Sequence, residues 1–465
     1  MSRPSGGGFA PKATTTRDES VMKTKQNMNQ KVLLMTVGAG EAGRLEETLF
    51  EPLRKSIATS EWAHVVLLPS ALTEENARES ERRLAGQPVT VSTLPAPGLE
   101  DDADACFAHF DGVLAQLMDS GVRPGEIIVD FTRGTKAMSA ALVLAAAGRG
   151  VPVLRYIAGK RDARGTVVPG EEQVRDLKTA RMTFRRDLDL AARFLEAWQF
   201  RAAERLPQAE APDLPAPWLD QAAWLDWLAR FWGAWDRLDY GLAARLLDQQ
   251  PEAPCPVSLS RFQPGAAQAA FIRRRARALP EEPSARAGAL RDLAADLVQN
   301  GRRRLAQGEL EDASLRAYRV LELVGQIRLF AHGQDSGRVD PEWEPYQRWV
   351  AYKEEKARKK KTDWRPPEPG EDGRVALARQ NVASLLQHMG DPLGADLCNP
   401  KKFWNLDPRR RNLSALIHGF EAGARTADAG ELAETYDRLE EILLREDPAN
   451  DARIHAARFP FGPGA

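Results

Sequence analysis

Between residues 31 and 160, apolar runs of strand length alternate with segments of helical periodicity, and this alternation constrains the fold more than any other feature. The strand candidates are KVLLMTV (31–37), HVVLLP (64–69), PVTVSTL (88–94), EIIVDF (126–131) and VPVLRYI (151–157). Helical patterns lie between them, near 44–58, 72–84, 101–119 and 135–149. Such alternation implies a mostly parallel, doubly wound sheet of the Rossmann-like kind. Residues 164–185 read as additional hairpin strands, and beyond Asp187 the strand signals stop. The fold class expected is therefore α/β plus all-α.

The stretch EIIVDFTRGTKAM (126–138) carries the most chemistry. Ile127, Ile128 and Val129 form the apolar run of a buried parallel strand. Asp130, Thr132, Arg133, Gly134, Thr135 and Lys136 then place hydroxyls, backbone N–H groups and cations at its carboxyl end. Ligands of open α/β sheets collect there, and a helix N-terminus favours anions. The helix that follows, roughly Ala137–Ala147, is almost entirely Ala, Leu and Met and must be buried. A polar turn between two buried elements reads as a ligand site, with a tight connection as the plainer reading.

The first strand ends in Gly38-Ala-Gly40-Glu-Ala-Gly43, which matches G-x-G-x-x-G. A dinucleotide fold also needs an acidic residue at the end of its second strand to hold a ribose hydroxyl. Here that strand ends in Pro69-Ser70. A nucleotide-dependent oxidoreductase is thus the weaker reading, although Gly38 and Gly40 still let a phosphate or ribose approach the backbone.

Composition narrows the rest. Over 465 residues, 65 basic side chains stand against 66 acidic ones, so no global field marks a nucleic-acid binder and any RNA contact must be local. Cys106, Cys255 and Cys398 lie far apart, which excludes a disulfide framework or a zinc knuckle; no resident metal or cofactor is expected. No apolar run reaches the length of a membrane span. The first thirty residues lack the apolar core of a signal peptide and read as disordered, so a cytoplasmic protein is expected.

From 187 to 250 the chain is helical and tryptophan-rich. Trp224, Trp227, Leu228, Phe231, Trp232 and Trp235 follow one helical face. Such a stripe reads as core, with a base-stacking platform as the sharper alternative. The segment 206–217 is a Pro/Ala-rich connector, and further helices are expected near 265–280 and 284–306. A long helix follows at about Leu310–Phe330. Lys353–Thr362 (KEEKARKKKT) reads as a solvated helix end or loop, or as a contact for RNA phosphate. Another helix is expected near Val375–Met389.

Arg411 and His418 are seven residues apart, two helical turns, and share a helix face, with Asn412 beside it. Imidazole exchanges protons near neutral pH, and guanidinium donates paired hydrogen bonds to phosphate oxygens. Together they suit acid–base chemistry at a phosphodiester without a metal; were the substrate RNA, attack of the ribose 2′-hydroxyl would leave a 2′,3′-cyclic phosphate and a 5′-hydroxyl. Arg328 and His332 form a shorter-spaced pair, and Gly333 is expected to end their helix. The other histidines read as surface or satisfied core residues.

Two family resemblances follow from these residues. The pattern of Asp130, Thr132, Gly134, Thr135, Lys136 and Met138, with Tyr156-Ile-Ala-Gly-Lys-Arg161 after it, resembles CARF domains, the CRISPR-associated Rossmann-fold sensors of cyclic oligoadenylate. The Arg411-Asn412…His418 pattern resembles that of HEPN ribonucleases. The resemblances imply a disordered segment at 1–30, a CARF sensor at 31–185, a helical connector at 186–306 and a HEPN domain at 307–465. They imply binding of cyclic tetra- or hexa-adenylate, as activator rather than cofactor, against Gly38, Gly40, Thr132, Arg133, Gly134, Thr135 and Lys136. They further imply that Arg411, Asn412 and His418 are catalytic in a homodimer that cleaves single-stranded RNA in type III CRISPR antiviral defence. The alternative is a catalytically inactive CARF protein that regulates a partner.

Overall fold

The computed structural model describes residues 31–84, 86–160, 168, 170–206, 214–399 and 428–463. The chain forms two compact units, which divide between Arg186 and Asp187.

The first unit is built on six strands: β1 (Val32–Val37), β2 (His64–Pro69), β3 (Val89–Val91), β4 (Ile127–Asp130), β5 (Val153–Ala158) and β6 (Gln173–Lys178). Their order is β3-β2-β1-β4-β5-β6; the first five are parallel and β6 runs antiparallel to β5. Alternation along β1 explains why it lies at the centre. Leu33, Met35 and Val37 enter the core with Leu49, Leu53, Ile57 and Trp62 on one face. Val32 and Leu34 enter the other, with Phe110, Leu114, Met138 and Leu142. Side chains of successive residues point to opposite faces, so a strand covered on both sides must be apolar throughout. The strand order reverses between β1 and β4, which places the loops after these two strands at the crevice where such sheets bind ligands.

The expected hairpin strands at 164–185 reduce to β6 alone among the described residues. A helix, Ala180–Glu196, begins two residues after it. Buried Phe184, Leu188, Ala191 and Leu195 recur at helical spacing, and that period decides the outcome. The third strand is also shorter than PVTVSTL implied: its ladder with β2 spans Val89–Val91.

In the second unit the tryptophan stripe is core. Helix Ala216–Asp236 buries Trp224, Trp227, Trp232 and Trp235. Their indole N–H groups donate to Ala253 O, Leu246 O, Phe262 O and Asp296 Oδ1 at 2.7–3.0 Å. No face of these rings is left for stacked bases.

Helices Pro283–Ala306, Leu310–Ala331 and Ala429–Glu446 share one core, so the division expected at 306 runs between two helices packed together. Gly301 permits the closest approach: a Cβ there would stand 1.8 Å from the hydroxyl oxygen of Tyr436, which donates to Ala313 O at 2.6 Å. The basic run at 353–362 ends helix Glu344–Lys360, with Lys353 Nζ 5.4 Å from the Trp364 ring centre. Helix Arg379–His388 falls within the expected 375–389. Arg328 bonds to Asp391 at 2.7 Å, and Gly333, at φ 76°, follows the end of its helix. No helix among the described residues is long and apolar enough to cross a membrane.

Candidate functional site

The loops that leave β1 and β4 touch backbone to backbone. A Cβ on Gly38 would lie 2.2 Å from the carbonyl oxygen of Arg133. A Cβ on Gly134 would lie 2.8 Å from Met138 Cβ and 3.2 Å from Thr36. Thr36, buried on β1, accepts the Arg133 N–H at 3.2 Å. Asn76 holds the β1 loop from the other side, donating to Gly38 O and Ala39 O at 3.1 Å. Gly40 has φ +69°, a conformation that glycine adopts without strain. The structure thus brings Gly38, Arg133 and Gly134 together, and the two glycines serve first to let the loops close on each other.

Asp130 organises the second loop from below. Its carboxylate is buried and accepts from Ser56 Oγ at 2.6 Å, Thr132 N at 3.0 Å and the Thr132 hydroxyl. Burial pushes the Asp130 carboxyl above its ordinary value, opposed by these hydrogen bonds and by the charge of Arg155. Arg155 is itself buried and bridges Ser56 O, Thr59 Oγ1 and Asp176. Thr132 Oγ1 also accepts the Ile157 N–H at 2.9 Å, tying the end of β4 to β5. The Thr132 hydroxyl is therefore spent on the fold.

The same holds for Thr135. Its hydroxyl caps helix Lys136–Gly148 by accepting the Met138 N–H at 3.1 Å, and it donates to Glu100 O. Lys136, the first residue of that helix, is exposed. Arg133 differs from both threonines. Its Nε is buried without a hydrogen-bond partner among the described residues. Burial pulls its guanidinium below the ordinary value, opposed by the carboxylates of Asp130 and Glu172. The loop thus offers a partly buried guanidinium, an exposed ammonium and a helix N-terminus, a donor set for anions.

Asp130 was visible in the motif, but its partners Ser56 and Arg155 carried no local signal. Arg411, Asn412 and His418 lie outside the described residues.

Residues 284–443 match the family model of the Csm6 HEPN domain. The chain carries a HEPN domain of the Csm6 type. The match starts within helix Pro283–Ala306 and spans Arg411, Asn412 and His418. Among solved structures, Csm6 of Enterococcus italicus bound to cyclic hexa-2′-fluoro-hexa-dAMP is similar at 14% identity and a TM-score of 0.47, over 93% of this chain and 98% of that one. Can2 of Sulfobacillus thermosulfidooxidans in complex with cyclic tetra-adenylate is similar at 14% identity and a TM-score of 0.22, over 58% and 67%. No curated protein matches the chain. The match begins some twenty residues before 307, the expected start of the HEPN domain, within helix Pro283–Ala306, which packs in one core with helix Leu310–Ala331.

Proposed function

We propose that this chain is a metal-independent, single-stranded RNA endoribonuclease switched on by cyclic oligoadenylate in type III CRISPR defence. The reading rests on one observation above all: a HEPN domain of the Csm6 type follows a Rossmann-like unit whose β1 and β4 loops meet at the switch point of the sheet. In the first unit, Arg133, Lys136 and the N-terminus of helix Lys136–Gly148 hold phosphates of the cyclic ligand, while Gly38 and Gly134 keep its backbone path open. Thr132 and Thr135 act by fixing the loop.

In the HEPN domain, His418 exchanges the proton of the ribose 2′-hydroxyl or of the leaving 5′-oxygen. Arg411 neutralises the charge that builds on the phosphorane, and Asn412 orients the reacting strand. Two copies pair as a homodimer, and ligand binding shifts the population of the cleaving state.

The test is cleavage of a single-stranded RNA by pure protein against a panel of cyclic tri-, tetra- and hexa-adenylate. Cleavage that rises with one ring size and yields 2′,3′-cyclic phosphate ends is expected. Ligand binding without cleavage would establish instead a catalytically inactive regulator.

A further inference from the structure

Three residues on one helix face line a single cleft of the second unit, and each carries a buried N–H that meets no acceptor among the described residues. Gln299, Arg302 and Arg303 lie on helix Pro283–Ala306 at positions i, i+3 and i+4, which share a face. Gln299 and Arg303 are only 5% and 4% exposed. Yet Gln299 Nε2, Arg302 Nε and Arg303 Nη2 are all buried without a partner among the described residues. Leaving such donors dry and unpaired is costly, and three around one space call for an acceptor group.

The cleft is preorganised. Arg303 is held by Asp236 Oδ1 at 2.9 Å, and its guanidinium lies 3.7 Å over the Phe459 ring. Arg302 is fixed by Asp437 and Glu440, so the one carboxylate that lines the cleft among the described residues, that of Glu440, is already neutralised. Arg458 stands exposed at the rim, and Trp198 and Phe461 form apolar walls around about 500 Å³. That volume falls within the range of small-molecule sites. Guanidinium edges and an amide N–H converging from one side suit a tetrahedral oxyanion. Burial pulls the Arg303 guanidinium down, an effect that a bound anion offsets.

We propose that this cleft binds a phosphoryl group, carried either by a free phosphate compound or by an RNA phosphodiester. None of its residues belongs to the Arg411–His418 pair.

The test is thermal unfolding of the full chain in inorganic phosphate against chloride at matched ionic strength. Phosphate is expected to raise the wild-type midpoint. Arg458→Ala, an exposed change, is expected to weaken the apparent phosphate affinity about tenfold by removing one charged donor. Gln299→Glu places an acceptor carboxylate beside Arg302 and Arg303 and is expected to abolish the response without lowering the midpoint in chloride. Should that variant fail to fold, Arg458→Ala still carries the test. Competition by adenosine 5′-monophosphate assigns the free compound. Competition by a 2′-O-methylated oligonucleotide, which lacks the attacking hydroxyl, assigns the RNA phosphodiester. No phosphate shift in the wild type, or equal shifts in wild type and variants, overturns the proposal.

Discussion

Gly38 faces the main-chain carbonyl of Arg133 so closely that a Cβ would stand 2.2 Å from its oxygen. Two loops nearly a hundred residues apart in sequence are therefore locked backbone to backbone, and only glycine fits. Gly38→Ala must push the β1 and β4 loops apart. The expected cost is about 1–3 kcal/mol, as for other overpacked sites, read as a lower denaturant midpoint, together with weaker response to cyclic oligoadenylate. Gly148→Ala is the control: it sits in a helix with open space around it and is expected to stabilise by about 0.5–1 kcal/mol.

Asp130 tests the same loop from beneath. Asp130→Ala leaves the Ser56 hydroxyl and the Thr132 N–H without their acceptor, at about 1–3 kcal/mol for each orphaned group. Asp130→Asn keeps an acceptor and the shape. The wild-type carboxyl is raised by burial above its ordinary 3.8, so the folded state holds the proton more tightly than the unfolded one. Its contribution is fully present below the unfolded value and is lost as pH rises through the folded value. Relative to Asp130→Asn, the wild type should accordingly lose stability as pH rises above the ordinary carboxyl value and through the raised folded one. Urea unfolding of both proteins across that range measures it; a difference that stays flat would show that the carboxyl is not raised.

Thr135 and Lys136 adjoin each other, yet their substitutions should separate. Thr135→Ala removes a helix cap and the tie to Glu100 O, at about 1 kcal/mol of stability for the cap, and Thr135→Ser should restore most of it. Lys136→Ala removes an exposed cation and should leave the unfolding midpoint unchanged. Its effect falls on the activator, shifting the half-maximal concentration about ten- to a hundredfold while maximal cleavage returns at saturation. An unchanged activator response in Lys136→Ala would place the ligand elsewhere.

The sheet was largely legible because β1, β2 and β4 are buried on both faces and must be apolar runs. The edge was not. In sequence, residues 180–185 look like strand, since the helical spacing of Phe184, Leu188, Ala191 and Leu195 emerges only when the window extends past the turn-rich segment. The ligand loop was legible as a location but not as a division of labour. That Thr132 holds β5 while the main chain of Arg133 is held by β1 depends on Ile157 and Thr36, which approach only in the folded sheet. The Gln299–Arg302–Arg303 cleft was invisible for the same reason: a QNGRRR run becomes a site only where Trp198 and Phe461 close over it.

His418→Ala should lower RNA cleavage by about two to four orders of magnitude, the usual worth of a positioned proton-transfer group. Ligand binding should be unchanged, and EDTA should have little effect on the wild type. Metal-dependent cleavage that survives in His418→Ala would overturn the assignment of this histidine.

The proposed homodimer is tested by mixing. If one active site draws an imidazole from each of two subunits, a heterodimer of wild type and His418→Ala holds a single intact half. Cleavage should then fall as the square of the wild-type fraction, because only wild-type pairs remain competent. A linear fall would show that each subunit cuts alone. The subunits must be co-expressed with distinguishable tags rather than mixed after folding, since a tight dimer that does not exchange also gives a line. Purifying the doubly tagged heterodimer removes that ambiguity: its residual activity should be near zero for a shared site and about half for independent ones.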